Sequence, residues 1–116
     1  MNCLKEIPNS GMVVVSDKID KVQGIHPTNK RIVGYRLSLW AMAKNYGKTN
    51  MVYSGPLYKS YIVSRNKIII EFDHVGGGLA SLDKKELTHF QISGEDRKFV
   101  EAKASIVGQT IVVESS

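Results

Sequence analysis

A single long stretch with helical periodicity divides this chain of 116 residues and limits what the chain can fold into. From Ile32 to Tyr46, apolar side chains recur at spacings of three and four, which predicts one helix with Thr28 as its N-cap and Gly47 at its end. Before this helix, the β-branched run at residues 12–15 predicts one strand buried on both faces. One strand and one helix do not complete an α/β domain, because a parallel strand needs parallel neighbours.

After Gly47 the pattern changes to short β-type runs separated by turn residues. Residues 57–63 and 67–73 flank a polar Ser-Arg-Asn turn and predict a hairpin, and further strands are predicted at residues 89–93, 98–107 and 110–114. We therefore predict an α+β protein with two domains. Residues 1–50 would form the end of an α/β domain, and residues 51–116 most of a β-sandwich.

Charge and composition exclude several classes of partner. There are 16 Lys and Arg against 11 Asp and Glu, a net charge of +5, but the basic residues are scattered in runs no longer than two. A nucleic-acid-binding protein would concentrate them on one face. No apolar run approaches the roughly 18 residues of a membrane span, and the N-terminus lacks the apolar segment of a signal peptide. We expect neither nucleic acid nor a membrane as partner, and no export signal in the chain as given.

His26 is the first candidate for chemistry, because it lies in the loop between the predicted strand and the predicted helix. Folds of the α/β class keep their catalytic groups at the carboxyl ends of strands. In one interpretation His26 is a general base that activates a hydroxyl nucleophile and is oriented by a carboxylate, for which Asp17 and Asp20 are the nearby acids. In the other, His26 packs at or caps the helix start and both acids are solvated.

No metal site is expected. His74 and His89 stand at no metal-ligand spacing from His26 or from each other, and the single Cys3 excludes a multi-cysteine zinc site. The glycines at residues 76–78 lack the Gly-Lys-Ser/Thr of a phosphate loop and are interpreted as a mobile strand connection.

The aromatic residues fall into two groups. Tyr35, Trp40 and Tyr46 stand at helical spacing, which predicts that they belong to the core. Tyr53, Tyr58 and Tyr61 follow the predicted helix and are open candidates for stacking on sugar rings.

Six segments carry a resemblance to a known family: IPNSGMVV at 7–14, IHPTNK at 25–30, LWA at 39–41, YSGPLYKS at 53–60, FDHVGGGL at 72–79 and SGEDRKF at 93–99. In this order and across nearly the whole chain, they resemble the sialate O-acetylesterases. These are carbohydrate esterases with an SGNH-type α/β hydrolase domain and an attached β domain. The resemblance implies that residues 1–50 are the C-terminal remnant of the hydrolase domain (strand, catalytic-His loop and helix), followed by a mostly antiparallel β-sandwich.

The resemblance also implies a chemistry. His26 would be the catalytic base of a Ser-His(-Asp) site that needs no metal or organic cofactor. The substrate would be O-acetylated sialic acid, typically at the 9-position, or a related acetylated glycan. Members of the family are usually secreted, periplasmic or lysosomal.

The chain departs from this family in two ways. It contains no Gly-Asp-Ser motif for the nucleophile and none of the blocks that form the oxyanion hole, so the base has nothing to activate. Gln23 stands where the Asp-x-x-His spacing of many SGNH hydrolases needs an Asp, so Asp17 and Asp20 stay open as the orienting acid.

We therefore expect a C-terminal fragment of such an esterase, inactive alone. Its partner would be the missing N-terminal hydrolase segment, or a second copy bound through the helix face that carries Ile32, Leu39 and Met42. The alternative is a non-catalytic carbohydrate-binding β-sandwich module.

Overall fold

The computed structural model describes residues 3–18 and 26–115. The chain divides into two compact units, Met1–Ser54 and Gly55–Ser116. Helices lie in the first unit and antiparallel strands in the second. The assignment of these units to a hydrolase end and a β-sandwich stays a prediction. Within the described ranges, no helix is long and apolar enough to cross a membrane.

The first unit contains the short helix α1 (Cys3–Glu6), a 3₁₀ turn (Ser16–Lys18) and the long helix α2 (Lys30–Lys44). The predicted helix is thus confirmed, but its N-cap is Asn29 and not Thr28. The Asn29 side-chain oxygen accepts a hydrogen bond from the Ile32 amide at 3.2 Å, which satisfies one of the amides that a helix start leaves unpaired. Gly47 follows the helix with a φ of 69°, the left-handed conformation expected of it.

The predicted strand at residues 12–15 is wrong. These residues have no regular secondary structure, and Val14 is 54% exposed. A strand needs a neighbouring strand for its backbone hydrogen bonds, and none pairs with this segment in the described part of the chain. The Val14 carbonyl instead accepts a hydrogen bond from the Arg36 side chain.

Trp40 anchors the packing of α2. It is 8% exposed, and its ring meets that of Tyr53 edge-on with the centroids 4.8 Å apart. The backbone at Gly11 lies so close that a Cβ atom there would stand 3.3 Å from the Trp40 Cβ, so this position suits a glycine. The core prediction therefore holds for Trp40 but fails for Tyr35 and Tyr46, which are 58% and 72% exposed.

In its described residues, 55–115, the second unit contains six strands: β1 (Leu57–Ser64), β2 (Lys67–Asp73), β3 (Gln91–Ile92), β4 (Val100–Glu101), β5 (Lys103–Val107) and β6 (Thr110–Glu114). Four of them form an antiparallel sheet in the order β1-β2-β6-β5, and β3 pairs with β4. The predicted hairpin is confirmed as β1–β2, which turns through Arg65 at a φ of 56°.

The strand predicted at residues 98–107 is divided at Ala102 because its two halves have different partners. Val100 and Glu101 pair with β3, whereas residues from Lys103 onward pair with β6. Between them, the Ala102 amide donates to the Phe90 carbonyl at 3.0 Å. One continuous stretch of chain thus contributes strands to two sheets.

The core of this unit is small. Ile92, Ala104 and Val113 are its buried members, and partly buried residues pack around them: Ile68, Ile70, Leu87, Phe90, Ala102 and Ile111. Ile92 comes from β3, while Ala104 and Val113 face each other across β5 and β6. The cluster therefore joins the two-stranded sheet to one face of the four-stranded sheet.

We expect Val113→Ala to destabilise the second unit by about 2 kcal/mol, because two methyl groups leave a site that is 3% exposed. The measurement is amide hydrogen exchange of β2, β5 and β6. Val107→Ala is the matched control, since Val107 is 57% exposed on β5 and its loss should cost less than about 0.5 kcal/mol. Equal effects of the two substitutions would contradict the assignment of the core.

Candidate functional site

His26 lies four residues before Lys30, the first residue of α2. Its side chain is exposed, whereas the next residue, Pro27, is buried. Asn29 then caps the helix, so the backbone on the C-terminal side of the histidine is fixed by packing and by a hydrogen bond. This arrangement presents an imidazole, the most common general base in enzymes, at the surface of the first unit.

Asp17 lies in the 3₁₀ turn and is bound by Arg36 from the middle of α2. The guanidinium donates from Nη1 to Oδ1 and from Nη2 to Oδ2, both at 2.7 Å, and Nη1 also donates to the Val14 carbonyl at 2.5 Å. Lys18 Nζ stands 3.4 Å from Oδ2. The two parallel bonds form the bidentate fork that makes arginine–carboxylate pairs specific in geometry.

The hydrogen bonds from Arg36 hold the pKa of the Asp17 carboxyl far below its usual range, and the positive charges of Arg36 and Lys18 act in the same direction. In turn, the Asp17 carboxylate raises the pKa of Arg36. The folded protein therefore favours the carboxylate form of Asp17.

The residues predicted for a catalytic site are His26, Asp17 and Asp20. Within residues 3–18 and 26–115, neither a hydrogen bond nor an ion pair joins His26 to Asp17, whose carboxylate is bound by Arg36 and Lys18. Asp20 lies outside the described residues. The catalytic roles of all three stay predictions.

Arg36 is the residue that sequence reasoning missed. It precedes no motif and stands 19 residues after its partner Asp17. The sequence offers no signal for this role, because an arginine in the middle of a helix has many possible partners.

A cavity of about 330 Å³ lies in the first unit between the loop at residues 9–11 and the C-terminal half of α2. Its lining combines ring faces, amides and one ammonium group: Asn9, Ser10, Gly11, Leu37, Trp40, Ala41, Lys44, Asn45 and Tyr46. The lining includes neither His26 nor Asp17. Lys44 Nζ stands 4.9 Å from the centre of the Tyr53 ring.

In the second unit, an irregularity in β1 brings two tyrosines to one face of the sheet. Tyr58 pairs with Phe72 and Tyr61 with Ile70, because the register shifts between Tyr58 and Ser60 and leaves an extra residue between them. Phe72 and Ile70 lie on the same face of β2, roughly 7 Å apart along the strand. Without this bulge, a spacing of three would send the two rings to opposite faces. The tyrosines are 49% and 59% exposed.

His74 and His89 belong to the second unit, and both have a positive φ, 59° and 64°. Among the residues that the structure describes, no group of three or more His, Cys, Asp or Glu is arranged to hold a metal ion.

Comparisons with known proteins support the resemblance that the sequence shows. A sialate O-acetylesterase from Homo sapiens is 32% identical over 91 residues, which cover 76% of this chain and 17% of that protein. The sialate O-acetylesterase of Rattus norvegicus is 38% identical over 68 residues, and that of Mus musculus 42% over 57 residues, covering 12% and 10% of those proteins. No protein-family model matches the chain.

Among solved structures, a crystal structure of a carbohydrate acetylesterase from Xanthomonas citri matches with a TM-score of 0.76 and 38% identity over 85% of this chain. This chain spans 22% of that protein and less than a fifth of the curated relatives. The resemblance to the sialate O-acetylesterases is therefore confirmed over part of their length, and the fold is a mixture of helix and antiparallel sheet like that of a carbohydrate acetylesterase.

The Asp17–Arg36 pair predicts a pH dependence of stability. Unfolded Asp titrates near pH 3.9 and the pKa of folded Asp17 is lower, so its contribution is complete above about pH 5 and is lost as the pH falls below 4. The contribution should not exceed about 1 kcal/mol, because solvent screens both partly exposed side chains.

The test is urea denaturation at pH 7, 5 and 3, followed by the fluorescence of Trp40, the only tryptophan of the chain. The wild type should lose more stability than Asp17→Asn between pH 5 and pH 3. The pKa of Glu114 is also lowered, by a hydrogen bond from Lys67. Because Glu114 is present in both proteins, its contribution to the pH dependence of stability cancels in the comparison. Parallel pH profiles would show that Asp17 does not contribute in this way.

Proposed function

We propose that this chain acts as the C-terminal portion of a sialate O-acetylesterase-type enzyme, to which it contributes His26 as the general base. The reaction is the hydrolysis of O-acetyl esters on sialic acids or related acetylated glycans. The chain alone has no esterase activity, because it carries no Gly-Asp-Ser motif.

The observation that carries this proposal is the position of His26. An exposed imidazole directly before a buried proline and a capped helix has its backbone fixed and its ring available to a reacting group. The chain around it is similar to proteins named sialate O-acetylesterase and carbohydrate acetylesterase. The same similarity supports the interpretation of the first unit as the end of an SGNH hydrolase domain and of the second as a β-sandwich.

In this mechanism the His26 imidazole accepts the proton of a serine hydroxyl as the serine oxygen attacks the acetyl carbon. The resulting imidazolium then protonates the departing sugar oxygen. Water, deprotonated by the same imidazole, cleaves the acetyl-serine and releases acetate. The serine and the donors to the oxyanion come from another part of the enzyme.

The orienting acid is a choice between Asp17 and Asp20. Both oxygens of Asp17 already accept hydrogen bonds from Arg36, so its carboxylate is occupied by a cation other than the imidazolium. This favours Asp20 as the acid that would accept from the imidazole. Asp20→Asn should then lower kcat more than Asp17→Asn does.

The test is a chimera in which this chain replaces the matching segment of the Xanthomonas citri acetylesterase, assayed by acetate release from an O-acetylated sugar. The unsubstituted chimera should be active, and His26→Asn should lower kcat by at least about 10²-fold, the contribution of a general base. His89→Asn is the matched control, since His89 has a positive φ that asparagine tolerates, and it should leave kcat unchanged.

A second assay uses this chain without the rest of the enzyme. It should release no acetate above the uncatalysed rate. Acetate release by the isolated chain that is abolished by His26→Asn would overturn the claim of inactivity. Full activity of the His26→Asn chimera would overturn the role of His26.

A second candidate function is carbohydrate binding by the β unit, and the bulge in β1 is the observation that favours it. The bulge places two half-exposed tyrosines on one face of the sheet, and exposed aromatic rings on a common face are what stacking on the apolar face of a sugar requires. This function needs no nucleophile.

If the β unit binds glycans, Tyr58→Ala and Tyr61→Ala should each weaken binding of an acetylated sialyl oligosaccharide about tenfold, or about 1.4 kcal/mol. Titration calorimetry is the measurement. Ile62→Ala is the control, because Ile62 is 53% exposed on the same strand but pairs with Ile69, on the other face. Equal weakening by all three substitutions, or no binding by the wild type, would argue against this function.

A further inference from the structure

The outer edge of strand β1 is open to another strand. In the four-stranded sheet, whose order is β1-β2-β6-β5, β1 is a terminal strand and pairs with β2 on one side. In the part of the chain that the structure describes, no strand or isolated bridge pairs with its other side. An open edge presents backbone amides and carbonyls that can bond to a further strand.

Only the first half of this edge carries features that prevent pairing. The bulge lies there, between Tyr58 and Ser60, and its extra residue is Lys59. A bulge and a lysine are two of the means by which proteins keep sheet edges apart. Residues 60–64 follow in regular register with β2 and contain no charged side chain. The second half of the edge is therefore unprotected.

The apolar side chains of this unprotected half are largely exposed. Tyr61, Ile62 and Val63 are 59%, 53% and 63% exposed. Because side chains alternate along a strand, Tyr61 and Val63 lie on one face of the sheet and Ile62 lies on the other. A strand added to this edge would cover side chains on both faces, which a ligand bound to one face does not do. The occupant that fits the edge is thus a strand.

The sequence of the unprotected half, Ser-Tyr-Ile-Val-Ser, makes this edge complementary to itself. When two copies pair in antiparallel direction about a twofold axis at Ile62, the two Ile62 side chains lie opposite each other. Tyr61 of one copy then lies opposite Val63 of the other, and Ser60 lies opposite Ser64. Aromatic–β-branched pairs and hydroxyl pairs are cross-strand neighbours that stabilise antiparallel sheets. A second copy of the chain therefore supplies the matching strand.

Neighbouring registers are less favourable. An axis at Tyr61 would set Lys59 opposite Val63. An axis at Val63 would set Tyr61 opposite Arg65, whose φ of 56° ends the extended conformation. With the axis at Ile62, Lys59 and Arg65 of opposite copies meet just outside the five uncharged residues. Their like charges confine the pairing to those five residues and oppose it most strongly at low ionic strength.

We propose that this chain forms a homodimer in which residues 60–64 of the two β1 strands pair in antiparallel direction, with Ile62 at the twofold axis. The two four-stranded sheets then join into one sheet of eight strands. Five residues span only about 17 Å, and so small an interface belongs to the weak class, so we expect a Kd on the order of 10⁻⁴ M. This inference is independent of the proposed esterase function.

The experiment is analytical ultracentrifugation of the full chain from about 10 µM to about 1 mM, a range that brackets the expected Kd. The chain should change from monomer to dimer across this range. Dimerisation should be several-fold tighter in about 0.5 M than in about 0.05 M NaCl, because salt screens Lys59 from Arg65 and one copy, with its net charge of +5, from the other. Dimerisation that weakens with salt would overturn the register.

Ile62→Lys is the first variant, because it places two ammonium groups opposite each other at the axis. It should weaken dimerisation at least about tenfold. Val107→Lys is the matched control, since Val107 is 57% exposed on β5, the other terminal strand of the same sheet. It adds the same charge and should leave dimerisation nearly unchanged. Tyr35→Lys, on the exposed surface of α2, should do the same.

A mixture of Ile62→Lys and Ile62→Glu chains tests the position of the axis. Each variant alone should stay monomeric, whereas the two together should form a heterodimer, because an axis at Ile62 sets the ammonium group opposite the carboxylate. Dimerisation in the mixture also shows that both variants fold.

Three results would overturn the proposal. The first is a wild-type chain that stays monomeric up to about 1 mM, which would leave the edge to an extended segment of another protein. The others are a dimer that persists in Ile62→Lys and a dimer that is lost in Val107→Lys. If the Ile62 variants fail to fold, the concentration dependence of the wild-type amide resonances decides: shifts at residues 60–64 support the pairing, and shifts confined to other residues overturn it.

Discussion

The hydrogen-bonded fork of Arg36 is the interaction on which the arrangement of the first unit depends. In its described part this unit has no strand, and its other helix has only four residues, so α2 is the one element large enough to organise it. A segment rich in valine would ordinarily be held by a sheet. Here its Val14 carbonyl and the following Asp17 are held by one guanidinium, while Trp40 packs against the backbone at Gly11.

The second unit depends on a different constraint, the pairing of strands around a small core. Its core has three buried side chains, and neighbouring strands of the larger sheet pair in antiparallel register around it. The bulge in β1 is where this regularity is broken, and it brings Tyr58 and Tyr61 to one face of the sheet. Departures from regular pairing often serve to redirect side chains in this way.

Much of the fold could be predicted because it is encoded over short stretches of chain. Helix α2 and the β1–β2 hairpin follow from periodicity and turn residues, and both are observed. The strand predicted at residues 12–15 failed because a strand exists only with a partner, and a β-branched run does not supply one. The prediction that Tyr35 belongs to the core failed for a related reason, since periodicity defines a helix face but not what covers it.

The candidate site, like the fold, was predictable only where it depends on residues that are close together in the sequence. The residues alone indicate an imidazole ahead of a helix start, show that the Gly-Asp-Ser nucleophile motif does not occur in this chain, and carry the resemblance to the acetylesterases. Only the folded chain reveals that Asp17 is bound by Arg36 and that Tyr58 and Tyr61 share a face. The reason is physical: caps, turns and periodicity act between near neighbours, whereas an ion pair across 19 residues and the register of a bulged strand exist only once distant segments have met.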